Sequence, residues 1–268
     1  MPDKCTVIAI SNQKGGVGKT SSTFCLGAGL ANEGKAVLLI DMDPQGDLTK
    51  MCGIRDPHSS DKFVTIAAAM NDVLSDASQQ NHPEIQHHPE GFDFVGANRL
   101  LSTIEVNLIN VLSRERVLSQ YIDTIKDRYD FILIDCRPAL GMLVINAFAA
   151  ADYVIIPVQP EYFAADALME LVYNVKNVKR AINPKLEIMG AFVTMMDKNT
   201  VYRSGVSNYL HEEISKYIPV FKTAIPRTVR MAEISMEDKS IFVHDPKGAA
   251  AKAYRDLTKE VLEHAQKG

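Results

Sequence analysis

The sequence predicts an α/β protein with an open, mostly parallel sheet flanked by helices on both faces. Three observations carry that expectation. Short, nearly continuous apolar runs recur at Val7–Ile10, Val37–Ile40, Phe131–Ile134, Tyr153–Ile156 and Ala191–Val193. Each is too short for a helix and apolar on both faces, as parallel strands buried between helical layers are. Helical patterns lie between them: residues 164–181 carry Leu168, Leu171, Val172, Val175 and Val178 at helical spacing. Finally, a glycine-rich stretch joins the first run to the first helical segment. In sheets of this kind ligands bind beyond the C-terminal strand ends, which is where that stretch falls.

Bulk properties narrow the class. The chain has 268 residues, 46% of them hydrophobic, enough for one large core, and 1–268 reads as a single domain. A net charge of −4 argues against a wholly basic nucleic-acid binder but leaves room for a local basic patch. Cys5, Cys25, Cys52 and Cys136 are far apart and form no C-x-x-C, which suggests neither a disulfide framework nor a zinc site. They fit a reducing, cytoplasmic setting. No apolar run reaches the roughly 18 residues a spanning helix needs. The first strand begins so early that no signal peptide is expected.

In chain order, Val7–Ile10 leads into Lys14-Gly15-Gly16-Val17-Gly18-Lys19-Thr20. Strand, glycine-rich loop and helix make the setting of a phosphate-binding loop. Glycines let backbone N–H groups crowd around phosphate oxygens, and the helix N-terminus adds partial positive charge. Lys19 would reach the β and γ phosphates, and the Thr20 hydroxyl would ligate Mg²⁺. The general template is G-x-x-x-x-G-K-[ST]; here Gln13 stands at its first glycine and an additional lysine, Lys14, fronts the loop.

The run Val37–Ile40 ends in Asp41-Met42-Asp43-Pro44-Gln45-Gly46, whose Pro and Gly mark a tight turn. Asp43 should reach the γ-phosphate and position the attacking water, while Asp41 should brace the loop as a hydrogen-bonded strand-end carboxylate. Residues 75–91 are polar and carry His82, His87 and His88; they read as an exposed loop insertion rather than a metal site. Phe131–Ile134 ends at Asp135, a carboxylate at a strand tip in the Walker B arrangement, near Mg²⁺. A strand is expected over Val220–Ile225. Residues 248–265 form a packing helix with Ala250, Ala253, Leu257, Val261 and Leu262 inward. No internal repeat is visible.

Four motifs stand in order: K-G-G-V-G-K-T with its added lysine, D-M-D-P-Q-G-D, F-I-L-I-D-C and I-P-R-T-V-R-M-A-E. Together they resemble the ParA/Soj branch of the deviant Walker A P-loop ATPases, which partition plasmids and chromosomes and have MinD as a relative. The resemblance runs from about residue 4 to residue 262, interrupted around 75–91. It implies ATP and Mg²⁺ as cofactors, slow hydrolysis and an ATP-bound sandwich homodimer. It implies release from non-specific double-stranded DNA on hydrolysis, stimulated by a ParB-like adaptor, and a cytoplasmic, nucleoid-associated protein that needs no membrane.

The resemblance also assigns residues. Lys14 would reach across the dimer to the partner's ATP, acting in catalysis with Lys19 and Asp43. Lys14, Gly15, Gly16, Val17, Gly18, Lys19, Thr20 and Ser21 would cradle the nucleotide, with Thr20 and Asp135 serving the metal. Pro226 and Thr228 would lie beside the adenine, although relatives usually have Asn where Thr228 stands. Arg227 and Arg230 match DNA-binding positions, and Lys198 and Arg203 would extend the patch; Asp197-Lys198-Asn199 replaces the usual Asp-x-Arg. Arg137 is unexpected in a loop that often reads D-x-P-P-S-L, and either a carboxylate or the partner chain could engage it. The alternative is a MinD-like membrane switch, which needs a basic amphipathic C-terminal helix; residues 258–268 mix acids and bases with few large apolar groups. An electron-transfer ATPase would need cluster cysteines that this spacing does not supply. A scaffold that binds ATP without turnover is a further reading.

Overall fold

In the computed structural model of the chain, residues 5–58, 63–77, 82–160, 164–196, 212 and 214–266 are described, except for the side chains of 164–167. The strands are β1 (Thr6–Ile10), β2 (Val37–Met42), β3 (Ile85–His87), β4 (Asp93–Val95), β5 (Phe131–Cys136), β6 (Tyr153–Val158) and β7 (Glu187–Val193). They form one sheet in the order β3-β4-β2-β5-β1-β6-β7. Every pair is parallel except β3 with β4. Between the strands run α1 (Lys19–Asn32), α2 (Asp47–Met51), α3 (Ile66–Leu74), α4 (Leu100–Asn107), α5 (Val117–Ile125), α6 (Met142–Ala150) and α7 (Ala164–Ala181). A last long helix spans Ala249–Ala265.

The apolar runs fold this way because both sheet faces are covered. Strand residues alternate sides. Val7, Ala9, Leu38, Ile40, Ile132 and Ile134 enter one buried cluster, shared with residues of α3, α5, α6 and α7. Ile8, Ile10, Leu39 and Leu133 enter the other, with Phe24 and Leu26 of α1 and Tyr254, Leu257 and Val261 of the last helix. Ala250 of that helix is buried, while Ala253 and Leu262 are partly buried against the same cluster. The C-terminal tips of β1, β2 and β5 come together at the centre, since Ile10 pairs with Asp135 and Asp41 pairs with Asp135 in register.

Two expectations are corrected. Residues 75–91 are not simply an exposed loop, because Ile85–His87 adds an antiparallel edge strand to β4. Glu84 and His88 within it are 1% and 3% exposed. Two of these side chains are hydrogen-bonded within the chain: the Tyr121 hydroxyl donates to Glu84 Oε1 at 2.8 Å, and His88 Nδ1 accepts the Glu90 N–H at 3.2 Å. The continuous strand expected over Val220–Ile225 is instead a segment running beside β7, joined by isolated bridges at Ala191–Val220 and Met196–Pro226. Its middle turns away because the Lys222 and Thr223 N–H groups donate to the Glu260 carboxylate at 2.8 and 2.9 Å.

Candidate nucleotide site

The glycine-rich loop leaves the tip of β1 and enters α1 at Lys19. Gly16 and Gly18 have φ of +73° and +87°, the left-handed region that side chains disfavour. A Cβ built on Gly16 would meet nothing within 4 Å, so the loop is open on that side. Gly18 caps α1 with no side chain, and the first turn of the helix holds no acidic residue. No carboxylate therefore competes there for the N-terminal N–H groups, whose partial charge suits an anion.

Lys19 is 6% exposed, and its Nζ donates to Lys14 O at 3.0 Å, curling back over the loop. Burial lowers its pKa, and Asp135, Cys136 and Asp43 push the other way. Asp135 is 1% exposed and lies beside Asp41. Burial raises its carboxyl far above the usual range, and Asp41 adds to that; a hydrogen bond from Thr20 and the Lys19 charge oppose it. Thr23 Oγ1 donates to Lys19 O at 3.0 Å and lies 3.4 Å from Asp135 Oδ1. A buried carboxylate beside a threonine hydroxyl, with a second buried acid next to it, is a donor set that suits a hard cation. The residues present thus fit both a polyphosphate and Mg²⁺.

Asp41 braces the next loop. Its oxygens accept from Thr49 N at 2.9 Å, Thr49 Oγ1 at 2.6 Å and Asp43 N at 3.1 Å. Asp43 opens the turn, accepting Gln45 N at 3.0 Å on Oδ1 and Gly46 N at 2.9 Å on its carbonyl. It is close enough to act electrostatically on Lys19 and Asp135. Arg137 pairs with Glu105 of α4 at 2.6 Å, so a carboxylate of its own chain engages it.

An AAA-domain family model matches residues 5–188. The sporulation initiation inhibitor protein Soj of Bacillus subtilis is 40% identical over 257 residues, which cover 95% of this chain and 97% of Soj. The chain belongs to the ParA/Soj family of partition ATPases. The chromosome partitioning protein ParA of Myxococcus xanthus is 37% identical across 96% of this chain and 87% of its own. Among solved structures, a cobyrinic acid a,c-diamide synthase from Mycobacterium smegmatis with bound ADP and magnesium superposes with a TM-score of 0.82 at 31% identity, covering 98% of this chain and 96% of that one. The septum site-determining protein MinD of Pyrococcus horikoshii, complexed with Mg-ADP, shares the fold with a TM-score of 0.74 at 22% identity over 96% of each chain.

The remaining positions of this ParA/Soj chain are placed less compactly. Pro226 pairs with Met196 just beyond β7, and Arg227 N donates to Met196 O at 2.9 Å. Thr228 caps the short helix Val229–Glu233, its hydroxyl accepting Met231 N at 3.2 Å. Arg227 and Arg230 are exposed, and Arg230 pairs with Glu233 at 2.9 Å. Lys198 and Arg203 lie outside the described residues. Sequence reading missed three groups that touch the loop. Asn12 accepts Lys14 N at 2.9 Å and donates to Pro157 O at 2.7 Å. Gln159 and Thr194 donate to loop carbonyls from the ends of β6 and β7. Their signal was present, since each is a polar residue at or just past the end of an apolar strand.

Proposed function

We propose that the chain is a DNA-partition ATPase of one ATPase domain, which dimerises on ATP and binds DNA in that state. One observation carries the reading: a left-handed glycine loop opens α1 onto Lys19, with Thr20 hydrogen-bonded to the buried Asp135. ATP would supply the phosphoryl group for transfer to water, and Mg²⁺ would neutralise charge on its phosphates. Lys14, Gly15, Gly16, Val17, Gly18, Lys19, Thr20 and Ser21 bind the phosphates, Thr20 and Asp135 hold the metal, and Pro226 and Thr228 flank the base. Lys14 of each subunit reaches the neighbour's nucleotide, which makes ATP part of the dimer interface. Asp43, fixed by its bond from Gln45 N, orients the attacking water. Lys14 and Lys19 hold negative charge as the water attacks in line.

Arg227 and Arg230, with Lys198 and Arg203, form the DNA patch, doubled in the dimer. A ParB-like adaptor accelerates an otherwise slow turnover, and hydrolysis releases the DNA. Within residues 258–268, which a membrane-switch reading would turn outward, Val261 belongs to the core and Leu262 is partly buried against it. Among the described residues no helix is long and apolar enough to cross a membrane.

The test is a DNA titration with MgATP, with MgADP and without nucleotide, at two salt concentrations. Binding should be tight only with MgATP and should weaken steeply at the higher salt. Equal affinity in all three states would defeat the proposal.

A further inference from the structure

We propose that Thr194 and Gln159 are positioning residues that aim the N–H groups of the phosphate loop. The proposal rests on the nucleotide reading above. No described peptide bond is cis. In a trans peptide the C=O of one residue and the N–H of the next point in opposite directions. Gripping a loop carbonyl from outside therefore turns the following N–H inward.

Thr194, 2% exposed, sits just past β7, with its N–H held by Val158 O at 2.8 Å. Its hydroxyl donates to Val17 O at 2.9 Å, across 177 residues of sequence. That bond directs the Gly18 N–H away from β7 and into the loop. Gln159 Nε2 donates to Gly16 O at 3.1 Å, directing the Val17 N–H likewise, and lies 2.6 Å from Met195 Sδ. Met195, between these contacts, has φ of +53°, a strained conformation for a residue other than glycine. Its Cε and the Thr194 methyl both stand 4.0 Å from where a Gly18 Cβ would be.

Gln159, Thr194 and Met195 thus form a saddle around Gly16, Val17 and Gly18. It differs in kind from the Lys19–Lys14 contact: Lys19 must swing to a phosphate, whereas the saddle can keep its bonds when nucleotide enters. The N–H groups are then preorganised, and binding need not reorient them.

The experiment is calorimetry of MgADP with the full chain and its variants, alongside melting without nucleotide. MgADP keeps ATP-driven dimerisation out of the measurement. Thr194→Val keeps the shape and removes the hydroxyl; its Kd should rise about tenfold, the scale of one lost hydrogen bond that orients a donor. Thr194→Ser should restore the parent Kd, which a purely steric role would not produce. A Thr194→Val Kd within about twofold of the parent overturns the proposal, and so does a loss that Thr194→Ser shares. Should Thr194→Val melt far below the parent, Gln159→Leu decides, because that side chain is not part of the core. A higher Kd there supports the saddle, and an unchanged one overturns it. A parent that does not bind MgADP overturns the phosphate-loop reading itself, a separate result.

Discussion

Lys19 is a buried lysine whose neighbours oppose the effect of its burial. Burial lowers its pKa, while Asp135, Cys136 and Asp43 raise it. Replacing it with alanine removes the lysine charge beside the buried Asp135 and, on the proposed function, the cation that meets the phosphates. Lys19→Ala should abolish MgATP binding in calorimetry; retained affinity would contradict the phosphate-loop assignment. Asp43 plays a different part, since its place on the turn is set by backbone bonds to Gln45 and Gly46. Asp43→Ala should still dimerise with ATP yet lose hydrolysis, and normal phosphate release would move water positioning to another residue. His88 bears on stability rather than on catalysis. It stacks on Phe92 at 4.4 Å, and burial lowers its pKa from 6.5, against Glu90 and Asp238, which raise it, and with His87, which lowers it. The unfolded chain therefore takes up this proton first. The stability from neutral His88 is complete above pH 6.5 and is lost as pH falls through the lower folded-state value. Melting temperature should drop on acidification below that pH, and His88→Gln should show a shallower drop. An identical slope in both proteins would remove His88 from the acid response.

At the scale of elements, the last helix does more than cover a sheet face. Glu260 on it takes the N–H groups of Lys222 and Thr223, so the segment beside β7 is held by a side chain where strand pairing stops. Glu260→Ala should cost about 1–2 kcal/mol, reduced from a buried value by solvent at this half-buried site. Amide exchange at 222 and 223 should quicken more than in β7, and unaltered protection would refute the brace. This junction shows what the sequence could disclose. β1, β2, β5 and β6 were legible because each is an apolar run buried on both faces; of β7 only the end Ala191–Val193 was, since its start at Glu187 is polar and exposed. The glycine-rich loop between β1 and α1 was legible because its glycines and lysine serve one local geometry. β3 and β4 were not: three residues each, they carry Gln86, His87 and Asp93, polar groups whose partners lie across the strand pair or elsewhere in the chain. The Tyr129 hydroxyl, for example, donates to Asp93 Oδ2 at 2.8 Å. The break in 220–225 was hidden for the same reason, because Glu260 lies far along the chain. Beyond their place at strand ends, Thr194 and Gln159 carry no local signal of a role; the sheet order, with β6 beside β1 and β7 beside β6, brings them to the loop.

For the whole molecule, the question is how a chain of net charge −4 would hold DNA, as the proposed function requires. Arg230 is not a bare cation: Glu233 lies 2.9 Å from it, and His244 Nε2 lies 2.7 Å from the same carboxylate. In the proposed function one subunit would therefore offer a weak patch, in which part of the positive charge is already offset. Non-specific affinity rises steeply with the number of phosphates neutralised and falls with salt in proportion to that number. Two copies of such a patch on one dimer would then separate bound from free far better than one copy could. The proposed switch follows from that nonlinearity, without any change in the patch itself. Arg230→Glu should leave ATP-dependent dimerisation intact on sizing and weaken DNA binding. It should also flatten the dependence of log affinity on log salt by roughly two, one contact per subunit. Unchanged affinity at low salt would remove Arg230 from the patch. A lower affinity with an unchanged slope would mean that the new glutamate acts through long-range repulsion, not through a lost phosphate contact.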